Sequence, residues 1–120
     1  HSMPSSGGAG DTVSSKNWMD IVLGDRYGTS CSPLITDLAC KTFRNLGYRV
    51  SINKPFAGGY TTKHYGRPCE GLHSLQIEIN RALYMDEANV CRLPSMEKLK
   101  KDVEVFVKQL TNINMKELIP

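Results

Sequence analysis

The stretch His73–Met85, HSLQIEINRALYM, restricts the fold more than any other. Leu75, Ile77 and Ile79 recur at every second position, with Gln76, Glu78 and Asn80 between them. Side chains alternate between the two faces of an extended strand, so this order makes one apolar and one polar face. The chain must therefore contain a sheet with a layer packed against it. A water-washed face favours Thr, Lys or Arg. This one carries an amide, a carboxylate and an amide, and Arg81 follows. Short amides suit a recessed, hydrogen-bonding surface better than a washed one.

The elements before this strand give the class of fold. Ile21, Val22 and Leu23 are an apolar run stopped by Gly24, which reads as a short buried strand. Ser32 is placed to cap a helix, Pro33 suits its first position, and Asp37 is expected near its positive end. Leu34, Leu38, Ala39, Phe43 and Leu46 would form its apolar face, and Gly47 its exit. Tyr48, Val50 and Ile52 alternate in a second strand that Pro55 ends. Strand, helix and strand in this order predict a βαβ unit with parallel strands. A last helix is expected from Ser95, with Met96, Leu99, Val103, Phe106, Val107 and Leu110 as its core stripe and its lysines in solvent. The expected class is α/β, a mixed and mostly parallel sheet flanked by helices. Residues 1–17, rich in Ser and Gly, read as loop. Residues 57–71, with four glycines, read as a long irregular loop of the kind that often carries function.

Bulk properties remove several classes of function. A chain of 120 residues makes about one domain and can bury roughly two-thirds of its unfolded surface. The net charge of +3 is too small, and the lysines too concentrated on one helix, to argue for nucleic acid. No apolar run approaches the ~20 residues of a membrane span, and no signal-peptide pattern occurs. Cys31, Cys40, Cys69 and Cys91 lack zinc-ribbon spacing and are too sparse for a disulfide scaffold. They read as free thiols of a cytoplasmic protein. No H-E-x-x-H occurs among the three histidines.

Ligands of open α/β sheets gather beyond the carboxyl ends of the strands. Asp25, Arg26, the glycine loop and the segment Glu78–Arg81 are expected to converge at one such end. In a water-poor site, Glu78 would serve as a general base; on an exposed edge it would simply be solvated. Arg26, Arg67 and Arg81 lie beside glycines or strand ends and suit a small anionic substrate, with surface charge or ion pairs to Asp25 or Asp86 as the plainer reading. Ala57–Tyr60, AGGY, fits neither common phosphate-loop pattern. His64 and His73 read as structural. At the start of the chain, HSM is open between native sequence and a cloning remnant.

Taken together, HSMPS, LGDRYGTSC, GGY followed by HYGRP, and HSLQIEINRALYMDE resemble, in this order, the C-terminal half of the N-formylglutamate amidohydrolase family. The resemblance runs from His1 to about Glu87 and makes His1 native sequence. It implies a fold like that of the zinc carboxypeptidases, of the phosphorylase/hydrolase-like kind. It implies that residues 1–120 form the C-terminal part of one amidohydrolase domain, the upstream half being absent from this chain. In the family, the histidine of HSMPS binds zinc and the carboxylate of QIEINR is the general base and acid. The resemblance thus assigns His1 to the metal, Glu78 to catalysis, and Arg26, Arg67, Asn80 and Arg81 to the substrate. The implied reaction is hydrolysis of N-formyl-L-glutamate to formate and L-glutamate, a step of histidine breakdown. The remaining zinc ligands would lie upstream. Other readings are an amidohydrolase for another N-acyl amino acid, or a non-catalytic module that binds a small anion or a partner. A missing half would expose sheet edge and apolar surface, favouring association with that half or with a second copy.

Overall fold

A computed structural model describes residues 1–5 and 18–118. The main sheet has four strands: β1 (Ser2–Met3), β2 (Ile21–Gly24), β3 (Val50–Ile52) and β4 (Gln76–Asn80), in the spatial order β1-β4-β2-β3. The β2–β3 and β1–β4 pairs are parallel, and β2–β4 is antiparallel. The sheet is therefore mixed and mostly parallel, as its class predicts. Helix α1 (Pro33–Asn45) makes the crossover between β2 and β3. A one-and-a-half-turn helix, α2 (Tyr60–Tyr65), precedes β4. A two-stranded ribbon, β5 (Met85–Asp86) and β6 (Cys91–Arg92), leads into helix α3 (Met96–Thr111).

Alternation along β2 divides the core. Ile21 and Leu23 point to one face, where they pack with Ala39, Cys40 and Phe43 of α1, Val50 of β3 and Phe106 of α3. Val22 points to the other, with Met3 and Trp18. The two long helices thus share one face of the sheet. Capping of α1 follows its sequence: Ser32 Oγ accepts from the Leu34 N–H, and Pro33 opens the helix. Its buried stripe is Ile35, Thr36, Ala39, Cys40, Thr42 and Phe43, so it is rotated from the expected one and Leu34 is exposed. Asp37 lies beyond the first turn. Ser95 does precede α3, but its side chain makes no capping bond. Inside α3, Asp102 is buried and accepts from Tyr48 Oη and Lys98 Nζ, which ties the helix to the entry of β3.

Three expectations are corrected. Ser2–Met3 is a strand and not loop, because β4 offers it a free edge; the rest of the loop expected over residues 1–17 lies outside the described residues from residue 6 onward. The stretch 57–71 is not irregular throughout, since it contains α2 and a 3-10 turn at Pro68–Glu70. The polar groups converge only in part: Asp25, Arg26 and the glycine loop meet at the end of β2, and Arg81 does not join them. Because β4 runs against β2, Gly24 pairs with Gln76 and Ile21 with Ile79, so Arg26 and Arg81 leave the sheet at opposite ends.

Candidate active-site groove

The register that corrects this expectation builds a groove. Val22 pairs with Glu78, which places the carboxylate on the face without the long helices. Glu78 is buried although it belongs to the polar row, while Ile77 and Ile79 are only half-buried. The polar face of β4 is thus a floor and not a washed surface. The His1 main-chain nitrogen donates to the Ile77 carbonyl, which sets the imidazole beside Glu78. His1 Nδ1 lies 3.2 Å from Glu78 Oε1. Gln76, two residues before Glu78 on the same face, donates from Nε2 to Oε1 at 3.0 Å. Glu78 Oε2 takes no hydrogen bond from a described residue. His1, Gln76, Glu78 and the loop Pro55–Gly59 line a groove of about 360 Å³.

The loop wall is held by the end of β2. The Arg26 N–H donates to the Ala57 carbonyl at 2.8 Å, and Arg26 Nη1 to the Gly58 carbonyl at 2.9 Å. This approach needs Gly24, where a Cβ would stand 2.6 Å from the backbone of both Ala57 and Gly58. The turn that aims Arg26 is unusual: Arg26 (φ 52°) and Tyr27 (φ 58°) both take the left-handed conformation before Gly28. Such residues cost about 1–2 kcal/mol each and need a firm anchor. Asp25 supplies it. The carboxylate is buried and accepts from Asn53 Nδ2, the Gly28 N–H and Thr36 Oγ1. Burial pushes this carboxyl up, but the three bonds outweigh it and hold it below the ordinary aspartate value.

Of the residues expected at a site, the structure places His1 and Glu78 in the groove and Arg26 on the loop that walls it, bonded to the Gly58 carbonyl. It does not bring the other three to the groove. Asn80 is buried on the same face as Glu78, but its amide is engaged by main chain: Nδ2 donates to the Met19 carbonyl, and Oδ1 caps the 3-10 turn at Arg81–Leu83. Arg81 reaches Ser2 Oγ and lies 3.9 Å from Glu87. Ser2 pairs with Ile79, which pairs with Ile21, so this contact is on the helix-covered side of the sheet. Arg67 is exposed beside Glu70. His73 is structural: Nδ1 accepts from the Ser32 N–H, and Nε2 contacts the Leu118 carbonyl. His64 stacks on Tyr60 at the surface of α2. Sequence reasoning missed the parts played by Gly24, Asp25 and Gln76. Gly24 looks only like a strand stop, and nothing local shows which loop will approach it.

Fold and groove define an α/β chain that presents a hydrogen-bonded carboxylate and an imidazole on the floor of an open groove. The chain belongs to the N-formylglutamate amidohydrolase family, whose model matches residues 1–85. It is similar to the N-formylglutamate deformylase of Pseudomonas putida, with 34% identity over 92 residues, covering 76% of this chain and 34% of the relative. It is also similar to that of Pseudomonas aeruginosa, with 37% identity over 71 residues, covering 57% of this chain and 26% of the relative. The crystal structure of N-formylglutamate amidohydrolase from Ralstonia eutropha JMP134 superposes with a TM-score of 0.80 at 35% identity, over 92% of this chain and 40% of that one. The chain thus spans about a quarter to a third of the length of the curated relatives it matches.

The family resemblance implies zinc. His1 Nδ1 faces the carboxylate and Nε2 has no partner among the described residues, which leaves the imidazole a nitrogen with which to bind a metal. A catalytic zinc takes three protein ligands, and no group of three His, Cys, Asp or Glu able to hold a metal occurs among the described residues. His1 fits as one ligand, but the described residues do not make the site. No helix among them is long and apolar enough to cross a membrane.

Proposed function

We propose that this chain supplies the general base and part of the substrate wall of an enzyme that hydrolyses the formyl amide of N-formyl-L-glutamate. The observation that carries the reading is Glu78: a carboxylate sunk into the sheet, opening on a groove, with one oxygen bonded by Gln76 and 3.2 Å from His1 Nδ1, and the other without a partner among the described residues. Such a group can take a proton from an attacking water at Oε2 and return it to the departing amine. Holding the carboxylate by one oxygen fixes the direction of the other, and that orientation lowers the entropy cost of the step. The names of the relatives support the formyl substrate. Arg26 is the substrate-carboxylate partner we favour, since one guanidinium nitrogen is fixed on Gly58 and the others have no acceptor among the described residues. His1 is the proposed zinc ligand, with the remaining donors from outside this chain. Such a metal supplies an acidified water and a polarised carbonyl.

The test is formate release from N-formyl-L-glutamate by the complete gene product, loaded with zinc and then stripped with a chelator. Formate that stops on stripping and returns with zinc is the expected result. Formate that persists after stripping would remove the metal from the proposal. No formate from the folded, zinc-loaded protein would leave another N-acyl amino acid, or binding alone, as the function.

A further inference from the structure

We propose that Gln76 is a positioning residue for Glu78, set by the glycine loop. The inference rests on the proposed role of Glu78 as base. The Gln76 amide is engaged at both ends. Its Oε1 accepts from the Gly59 N–H at 3.0 Å, and its Nε2 donates to Glu78 Oε1 at 3.0 Å. An amide is suited to this place, because it accepts at one end and donates at the other, whereas a carboxylate only accepts. The Gly59 N–H is itself well located. Its loop is pinned to β2 by the two bonds from Arg26 and by the close approach at Gly24. The loop therefore sets the amide, and the amide sets which oxygen of Glu78 is tethered. His1 Nδ1 meets that same oxygen. Loss of the Gln76 bond would remove the one hydrogen bond that the described residues give the carboxylate.

Two variants of the complete gene product separate positioning from mere loop anchoring. Gln76→Met removes both bonds at nearly constant shape. Gln76→Glu keeps an acceptor for the Gly59 N–H but sets an anionic oxygen against Glu78. Positioning predicts that both lower kcat for formate release by about 10- to 100-fold, as expected for a displacement near 1 Å, with KM nearly unchanged. Gln76→Glu near the unmodified kcat while Gln76→Met falls would show that the amide only anchors the loop, and would overturn the inference. So would unchanged kcat in both. The crystal structure of the Gln76→Met protein decides independently of the substrate. A Glu78 carboxylate moved off His1 Nδ1 is the expected result, and one left in place overturns the inference. Absence of formate from the unmodified enzyme would sink the proposed function, and the crystal structure would still decide the positioning.

Discussion

Gly24→Ala tests the way the loop wall is built. The added Cβ would lie 2.6 Å from Ala57 C and Gly58 N, both backbone atoms, where ordinary contact begins at 3.4 Å. No side chain can swing away to relieve this, so the loop must retreat by about 0.8 Å, the difference between the two distances. Overpacking of this kind costs about 1–3 kcal/mol. It also withdraws the Ala57 and Gly58 carbonyls from Arg26, and the Gly59 N–H from Gln76. A shift of that size at the wall of the proposed site should lower kcat by up to about 100-fold. Urea unfolding of the complete gene product reads the first effect and formate release the second. Gly47→Ala is the control. Its φ of +96° makes a side chain strained there as well, at about 1–2 kcal/mol, but nothing stands within 4 Å of the added Cβ and the site is at the other end of β3. Stability should fall in both variants and kcat in Gly24→Ala alone. A Gly24→Ala protein within about 0.5 kcal/mol of the unmodified stability, with kcat intact, would refute the close approach and the loop wall built on it.

Glu78→Gln should fold, since the amide fits the same volume, and should lower kcat by about 10²–10⁴; full formate release would remove Glu78 from the mechanism. Asp25 makes an acid-stability prediction. A carboxyl whose folded pKa is depressed stabilises above its unfolded pKa and loses that contribution as pH falls through the folded value. Urea midpoints should therefore drop as pH falls below about 4, and less steeply in Asp25→Asn; parallel pH curves would refute the assignment. The thiols should divide by burial. Cys69 and Cys91 are exposed, whereas Cys31 and Cys40 are buried, with burial pushing the Cys31 thiol up to about 11. A thiol reagent at pH 8 should modify Cys69 and Cys91 in the native protein and reach Cys31 and Cys40 only on unfolding, which peptide mass mapping reads directly.

Local patterns carried much of this fold. The strand around Glu78 follows from alternation, α1 from Ser32, Pro33 and Gly47, and α3 from the spacing of Leu99, Val103, Phe106 and Leu110, each a matter of neighbours within a few positions. The same alternation put Glu78 opposite the apolar row, and the motifs around it were legible as those of a family. The direction of β4 was not legible, because a strand's own residues read alike in parallel and antiparallel pairing. That choice rests on contacts with Ser2–Met3 and Ile21–Gly24, more than fifty residues away in sequence. It sends Arg81 to the far end of the sheet and sets Gln76 beside Gly24. The Gly59–Gln76–Glu78 relay depends on a loop crossing the end of β2, a contact with no local signature. Sequence by itself determined β2, β3, β4, α1 and α3 and the presence of a carboxylate on a polar face, because backbone periodicity and capping are short-range. Only the tertiary structure decided which residues share that face's groove, because strand pairing and loop approach are decided by packing between segments distant in the chain.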